Sequence, residues 1–188
     1  MTTSIDAVRR NKELVRRLTE QGFNDGDLSG VDEHFRPDYQ VHAPGVPPLP
    51  PGPHAFKKAV MLFRTAMPDI YVTVEDLAGE GDRVFGRFTT RGTHTGPLMG
   101  IPPSGRPVTV YEWVCHRFVD GQVAESWIGD NVPRILLSIG AVVPQGPAAA
   151  IVNAGAPGAA GPPAAAGATG AAGPTGAPGP TEAPGSRP

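Results

Sequence analysis

The chain has 188 residues and a formal net charge of −2, from 16 basic and 18 acidic side chains. This charge gives no basic field that would attract nucleic acid or an anionic membrane, so we expect neither as a partner. No apolar run approaches the roughly 20 residues that span a bilayer, and the charged N-terminus lacks the apolar segment of a secretory signal. The single cysteine, Cys115, excludes an internal disulfide. We therefore expect a cytoplasmic protein.

The C-terminal segment differs from the rest in composition. From Ala154 onward every residue is Ala, Gly, Pro, Thr, Ser, Glu or Arg, which leaves too little apolar surface to offset the cost of ordering the backbone. Its glycines recur every third residue with two interruptions, at 155, 158, 161, 167, 170, 173, 176, 179 and 185. This period is typical of the collagen triple helix. We predict a compact domain over residues 1–145 and a low-complexity tail over 146–188, disordered or, alternatively, a trimerising stalk.

Helical periodicity dominates the first part of the domain. Apolar residues at helical spacing predict a first helix that begins at Ser4 and ends at Gly22, followed by a short helix that runs through Phe35 and is stopped by Pro37. A strand around Tyr39 and a proline-rich loop over 44–52 come next. We interpret the loop as a stiff lid beside the fold, although its PxxP pattern is also found in ligands of other domains. Four apolar residues then predict a third helix: Phe56, Val60, Phe63 and Met67.

The remainder of the domain indicates β-structure. Alternating apolar residues predict strands over 70–74, 84–94, 108–119 and 123–130, and a short helix over 133–140 follows. Helices followed by strands joined through hairpins are the α+β pattern. We expect N-terminal helices packed in a curved antiparallel sheet that forms a cone-shaped pocket. No GxGxxG, GxxxxGK or paired-cysteine motif is present in the sequence, so we expect no cofactor and no metal.

Five segments of the chain carry a family resemblance. They are GTHTGPLMGIPPSGRPV at 92–108, HRFVDG at 116–121, VAESW at 123–127, LLSIGA at 136–141 and DYQVHAP at 38–44. Together they resemble the SnoaL-like polyketide cyclases of the nuclear-transport-factor-2-like, or cystatin-like, superfamily. The resemblance covers residues 8–142 and implies the cone-shaped α+β fold. The superfamily carries several activities on one scaffold, so the resemblance indicates the reaction less directly than the fold.

The resemblance implies that an aromatic polyketide is cyclised by intramolecular aldol condensation, with a pocket aspartate as acid and base and without a cofactor. By position it places this aspartate at Asp130, with His116 and His42 as the pocket histidines. A carboxylate in an apolar pocket has a raised pKa and can alternate between the two proton transfers. His116 could donate to the carbonyl oxygen where negative charge develops. The sequence departs from the family at one position, because Asn131 stands where the acid is usual and Asp130 comes one residue earlier.

Other residues are candidates for contact with a substrate. Trp113 and Trp127 could stack on a flat aromatic molecule, and His94 begins the glycine-rich loop that could border the mouth of the pocket. Glu112 is an alternative base inside a strand. With His42 and Asn131 these residues form the predicted substrate-binding set. We expect Arg117 to be a structural ion-pair partner.

The hairpin at Asp120-Gly121 decides whether His116 and Asp130 face the same side of the sheet. A two-residue turn would place His116 opposite Glu125, with Asp130 on the other face. A three-residue loop would place His116 opposite Ala124 and bring Asp130 to the same face. We predict the three-residue loop.

Two other functions stay open from the sequence. Epoxide hydrolysis would need Asp130, Glu112 and Arg117 to converge on a water molecule. A ligand-binding or association domain without turnover is favoured by Asn131 at the usual acid position, because an amide does not exchange a proton at neutral pH. We expect a homodimer, because members of the family that the chain resembles often associate through the outer face of the sheet.

Overall fold

The computed structural model describes residues 4–44, 46, 48–129 and 131–142; the tail over 146–188 lies outside the described residues. The helices are α1 (Ser4–Leu18), continued by a π-helical segment (Thr19–Asp25), α2 (Val31–His34), α3 (His54–Ala66) and α4 (Asn131–Ser138). The strands are β1 (Phe35–His42), β2 (Tyr71–Glu80), β3 (Arg83–Thr93), β4 (Pro107–Val119) and β5 (Gln122–Ile128). The predicted α+β class is confirmed. None of the described helices is long and apolar enough to cross a bilayer.

The first helix runs past its predicted end at Gly22. Gly22 is buried, and a β-carbon there would lie 3.2 Å from the Phe56 ring, so this glycine allows close packing against α3 and does not end the helix. The helix ends at Gly26, whose φ of 80° is the left-handed conformation that glycine adopts without strain. The short second helix also differs from the prediction, since it ends at His34 and Phe35 already belongs to β1.

The five strands form one sheet in the order β1-β5-β4-β3-β2. Four strands are antiparallel neighbours, as predicted, whereas β1 pairs in parallel with β5. The sheet is therefore mixed. Along the chain, α3 and three further strands separate β1 from its parallel neighbour β5, which gives the chain the length it needs to cross over. Pro37 lies within β1. A proline has no backbone N–H, and it is tolerated here because β1 is an edge strand with no neighbouring strand to donate to on its outer edge.

The β4–β5 hairpin has a two-residue turn, so the predicted three-residue loop is wrong. Asp120 and Gly121 have φ angles of 51° and 81°, the pair of positive values that a type I′ turn requires. Next to the turn, Phe118 faces Val123; beyond it, a bulge that contains Ala124 shifts the pairing by one residue. His116 consequently lies opposite Ser126, a pairing that neither predicted register contained.

The helices cover one face of the sheet, which we call the inner face. Its side chains form a single apolar core with α1, α3 and α4; buried strand residues in it include Val84, Phe88, Val110, Phe118 and Val123. The opposite, outer face leaves aromatic rings exposed: Tyr71, Phe85, Tyr111 and Trp113. The glycine-rich loop after β3 is attached to the end of α3, because the backbone N–H groups of Thr95 and Gly96 both donate to the Ala66 carbonyl, at 3.0 and 2.9 Å.

Gly96 is the position where this attachment tolerates no side chain. A β-carbon at Gly96 would lie 2.0 Å from the backbone oxygen of Thr65. We expect Gly96→Ala to lower the free energy of unfolding by about 3 kcal/mol or more, since the loop and α3 would have to separate. The control is Gly30→Ala, because Gly30 has a right-handed φ of −88° and its nearest neighbour atoms are 3.7 Å away. Urea denaturation of both variants measures the difference, and equal stabilities would contradict this explanation.

Candidate active site

The inner face and the helices enclose a cavity of about 220 Å³. Most of its wall is apolar, formed by side chains such as Leu18, Phe23, Phe56, Phe63 and Phe88. Lys58 of α3 and Met99 of the glycine-rich loop line the cavity and are also exposed to solvent, so they mark its mouth. The proline-rich loop contributes Val46 and Leu49 to the wall. A cavity of this kind suits a small apolar or aromatic molecule.

Three polar side chains lie in one part of the wall, and two of them are joined by a hydrogen bond. The Nδ1 atom of His116 lies 2.8 Å from the Ser126 hydroxyl oxygen, and Tyr39 lines the cavity together with these two residues. His116 and Ser126 are brought together because they pair across β4 and β5. Tyr39 comes from β1, the strand that flanks β5 on its other edge. Tyr39 and Ser126 are buried, whereas His116 retains accessible surface and lines the cavity.

Burial changes the protonation of this group. Loss of hydration lowers the pKa of His116 from 6.5 to about 4, so its imidazole is neutral at pH 7. Burial raises the pKa of Tyr39 to about 12, and the nearby Ser126 hydroxyl opposes this shift only in part. The phenol is therefore protonated at pH 7. The group carries no net charge and offers hydrogen bonds to a neutral ligand.

Glu112 supplies a carboxylate to the same cavity. It lies on the same side of β4 as His116, four residues away, which is about 13 Å along a strand. The Thr90 hydroxyl donates to its Oε1 atom at 2.6 Å. One wall therefore presents a carboxylate and a neutral imidazole to a molecule that lies along β4.

Three predicted substrate contacts lie on the outer face, away from the cavity. His42 forms an ion pair with Glu125 at 3.4 Å and stacks on Trp127, with ring centroids 5.2 Å apart. Trp113 stacks on Phe85 and is half exposed. These positions do not favour a role in the cavity. Strand alternation explains them, because Val41 faces inward and its neighbour His42 therefore faces outward.

His94 is fully buried but is not among the residues that line the cavity. The backbone N–H of Ser104 donates to its Nδ1 atom at 3.2 Å, and the backbone atoms of His94 bond to Gly105 and Arg106. The ring thus joins the two ends of the glycine-rich loop, which contributes Met99 to the mouth of the cavity.

The remaining predicted site residues are placed as follows. Asp130 lies outside the described residues, and Asn131 is the first residue of α4, with its side chain outside the description. Arg117 is paired with Glu125 on the outer face, which confirms the predicted structural ion pair. No group of three or more His, Cys, Asp or Glu residues that could hold a metal occurs in the part of the chain that is described.

Sequence reasoning missed Tyr39 and Ser126. Tyr39 alternates with Val41, which places both on the inner face, and that pattern could have indicated the tyrosine. Ser126 could not have been found in the same way. In a two-residue hairpin without the bulge that contains Ala124, Ser126 would lie on the opposite face of the sheet from His116.

Comparison with known proteins identifies the family. A family model described as SnoaL-like polyketide cyclase matches residues 13–136. The chain belongs to the SnoaL-like polyketide cyclase family. Nogalonic acid methyl ester cyclase from Streptomyces nogalater is 30% identical over 105 residues, which cover 55% of this chain and 78% of that protein.

Solved structures share the SnoaL-like fold. AclR from Streptomyces galilaeus, described as a hydroxylase candidate, is 28% identical with a TM-score of 0.63 and covers 78% of this chain and 91% of its own. IdmH from Streptomyces antibioticus, described as a polyketide cyclase candidate, is 31% identical with a TM-score of 0.59. The match covers 69% of this chain and 98% of IdmH. The neighbours carry different activity names, so the family alone does not define the reaction of this member.

The lowered pKa of His116 predicts a pH dependence of stability. The unfolded chain takes up the histidine proton near pH 6.5, whereas the folded chain takes it up only near pH 4. The contribution of His116 to the free energy of unfolding is therefore complete above pH 6.5 and is lost as the pH decreases toward 4. Between pH 7.5 and pH 5 we expect this residue to account for about 2 kcal/mol of the loss. Urea denaturation across this range, compared with His116→Phe, measures the contribution as the difference between the two curves. Parallel curves would show that His116 titrates normally in the folded protein.

Proposed function

We propose that this protein is a cyclase-type enzyme that closes a ring of a small polyketide or similar carbonyl compound by intramolecular aldol cyclisation without loss of water, in the cytoplasm. The observation that carries the proposal is the carboxylate of Glu112 and the neutral imidazole of His116 on one wall of an apolar cavity. The relative from Streptomyces nogalater, named nogalonic acid methyl ester cyclase, supports the same reaction class.

The proposed reaction uses a carboxylate as base. It removes a proton from the carbon next to a carbonyl group, and the resulting enolate attacks a second carbonyl carbon of the same molecule to form a carbon–carbon bond. The new alkoxide then takes up a proton, so the product is an isomer of the substrate. The substrate carbonyl itself acidifies the C–H bond, and the reaction as proposed requires no cofactor. Glu112 is the candidate base within the described cavity wall, and Asp130, two residues beyond the end of β5 in the sequence, is the second candidate.

His116 has the complementary role in this proposal. Its neutral imidazole would hydrogen-bond to a carbonyl oxygen while negative charge develops there. An apolar surrounding strengthens such a bond, because no water competes for the donor.

A pair of matched variants tests the base. Glu112→Gln keeps the size of the side chain but cannot accept a proton, so we expect kcat to fall by about 10²- to 10⁴-fold. Glu75→Gln is the control, because Glu75 accepts the Thr89 hydroxyl at the same 2.6 Å but does not line the cavity. Asp130→Asn is measured alongside to decide between the two carboxylates. The assay follows nogalonic acid methyl ester by chromatography and mass spectrometry, where cyclisation gives a new peak of unchanged mass. Wild-type rates for both Glu112→Gln and Asp130→Asn would contradict the proposed proton transfer.

Binding without turnover is the second candidate function. Asn131 at the usual position of the family acid favours it, and the same assay separates the two functions, because a binding protein converts no substrate. Epoxide hydrolysis is less well supported. It would require Arg117 at the cavity, whereas Arg117 is engaged with Glu125 on the outer face.

We also propose that the protein is a homodimer formed through the outer face of the sheet. Exposed aromatic side chains on this face support an interface, since such rings are enriched at protein contacts and are costly to leave in water.

Charge substitution on the outer face tests the dimer. We expect Tyr111→Lys or Phe85→Lys to weaken association at least about tenfold, because a buried cation would replace an aromatic contact. Ile5→Lys is the control, since Ile5 is an exposed apolar residue on α1. Sedimentation velocity over a dilution series measures the effect. A monomeric wild-type protein, or equal association of all variants, would contradict this interface.

A further inference from the structure

We propose that Lys58 is a specificity-determining residue at the mouth of the cavity, where its ammonium group binds the carboxylate of a ligand whose apolar body fills the interior. The ligand class is thus an aromatic free acid, in preference to its methyl ester. The inference deepens the proposed function and rests on it for the apolar body of the substrate, whereas the charged end of the ligand is inferred from the cavity alone.

The first step is the position of Lys58 on α3. Four residues that line the cavity, at positions 55, 58, 59 and 62, have the spacing of one helical face. Two of them, Ala55 and Ala59, have side chains of a single carbon and do not extend far from the helix. The methylene groups of Lys58 can therefore lie along this face while the ammonium group reaches water at the mouth, which agrees with the exposure of the lysine.

The second step is the availability of the ammonium group. The adjacent lysine, Lys57, is already engaged, because its Nζ atom lies 2.7 Å from a carboxylate oxygen of Asp32. Successive residues of a helix are turned by about 100° from one another, so the two lysines reach different surroundings. Lys58 forms no ion pair within the part of the chain that the structure describes. Of these two adjacent cations, the one at the cavity is thus the one available to a ligand.

The third step is the distribution of charge around the cavity. Among the described lining residues, Lys58 is the one Lys or Arg and Glu112 is the one Asp or Glu, while His116 is neutral. Glu112 belongs to β4, the central strand of the sheet, whereas Lys58 marks the mouth. A ligand carboxylate inside the cavity would meet the like charge of Glu112 in apolar surroundings, which is unfavourable. The two side chains therefore orient an acidic ligand with its apolar body inward and its carboxylate at the mouth.

The fourth step is the energetic difference between an acid and its ester. A carboxylate beside the exposed ammonium group of Lys58 keeps part of its hydration, so the cost of burying a charge is small there. An exposed ion pair is worth little by itself, but the apolar body already holds the carboxylate at the mouth. A methyl ester carries no charge and gains no ion pair. Lys58 should therefore distinguish the two compounds without being a large source of affinity.

Binding of 2-naphthoate and methyl 2-naphthoate to the full-length protein tests this assignment. The two probes share a flat apolar body and differ in the charge of the end group. Because an ester enters an apolar cavity more readily for other reasons, the decisive quantity is the change in the ratio of the two dissociation constants between wild type and variant, measured by calorimetric titration. In Lys58→Met, which keeps the length of the side chain and removes its charge, we expect the acid to lose about fivefold in affinity relative to the ester.

Two further variants separate a specific ion pair from a general effect of charge. Lys57→Met changes the net charge by the same amount one residue away, but Lys57 is paired with Asp32 and does not line the cavity, so we expect the wild-type ratio. Lys58→Arg keeps a cation at the mouth and should also keep the wild-type ratio.

Three results would overturn the inference. They are an unchanged ratio in Lys58→Met, an equal change in Lys57→Met, and the absence of binding of both probes to the wild type, since the apolar body would then have no site in the cavity. None of these measurements needs turnover. A preference for the acid that depends on Lys58, found in a protein that converts no substrate, would contradict the proposed enzyme and leave this binding site in place, so the two failures are distinguishable.

Discussion

The bulge at Ala124 is the local feature on which the candidate site depends. It shifts the pairing of β5 against β4 by one residue, and this shift places the Ser126 hydroxyl opposite the His116 ring. An unbulged two-residue hairpin would pair His116 with Glu125 and turn Ser126 toward the outer face. Both the polar group in the cavity and the ion pair of Arg117 with Glu125 on the other face follow from this register.

The apolar surroundings then determine what the polar group can do. In water a histidine exchanges between tautomers and is partly protonated near neutral pH, and a serine hydroxyl rotates freely. Within the wall of the cavity, loss of hydration keeps the ring neutral, and each buried hydroxyl is restricted to the partners within its reach. The arrangement is thus preorganised by the cost of leaving a polar atom unsatisfied, without requiring a charged residue to hold it.

Much of the fold could be predicted from the sequence because the patterns are local. Apolar spacing indicated α3, the Asp120-Gly121 pair indicated a hairpin, and helices followed by strands indicated the α+β class. The errors lie where nonlocal packing decides the outcome. Gly22 was interpreted as a helix end, whereas its role is to admit the Phe56 ring, and β1 was expected in an antiparallel sheet although its partner β5 is distant in sequence.

The site was less predictable for the same reason. His116 and Glu112 were found because they lie on a long strand with regular alternation. His42 and Trp127 were predicted to contact the substrate from their residue type, but chemistry alone does not indicate which side of a strand a ring faces. Ser126 was missed because one inserted residue reverses that side, and an insertion of this kind leaves no mark in the residue pattern.

The strict alternation along β4 divides the strand into two sets of positions with separate tasks. Even-numbered residues such as Glu112, Val114 and His116 line the cavity, while Tyr111 and Trp113 are exposed on the outer face. Substitutions that change the cavity wall and substitutions that change the outer face therefore fall at alternating positions of one short segment. Substitutions at one set can accumulate without disturbing the other, whereas a single-residue insertion or deletion within the strand would exchange the two surfaces at once. Divergence within this lineage should accordingly proceed by replacement along β4 and leave its length unchanged.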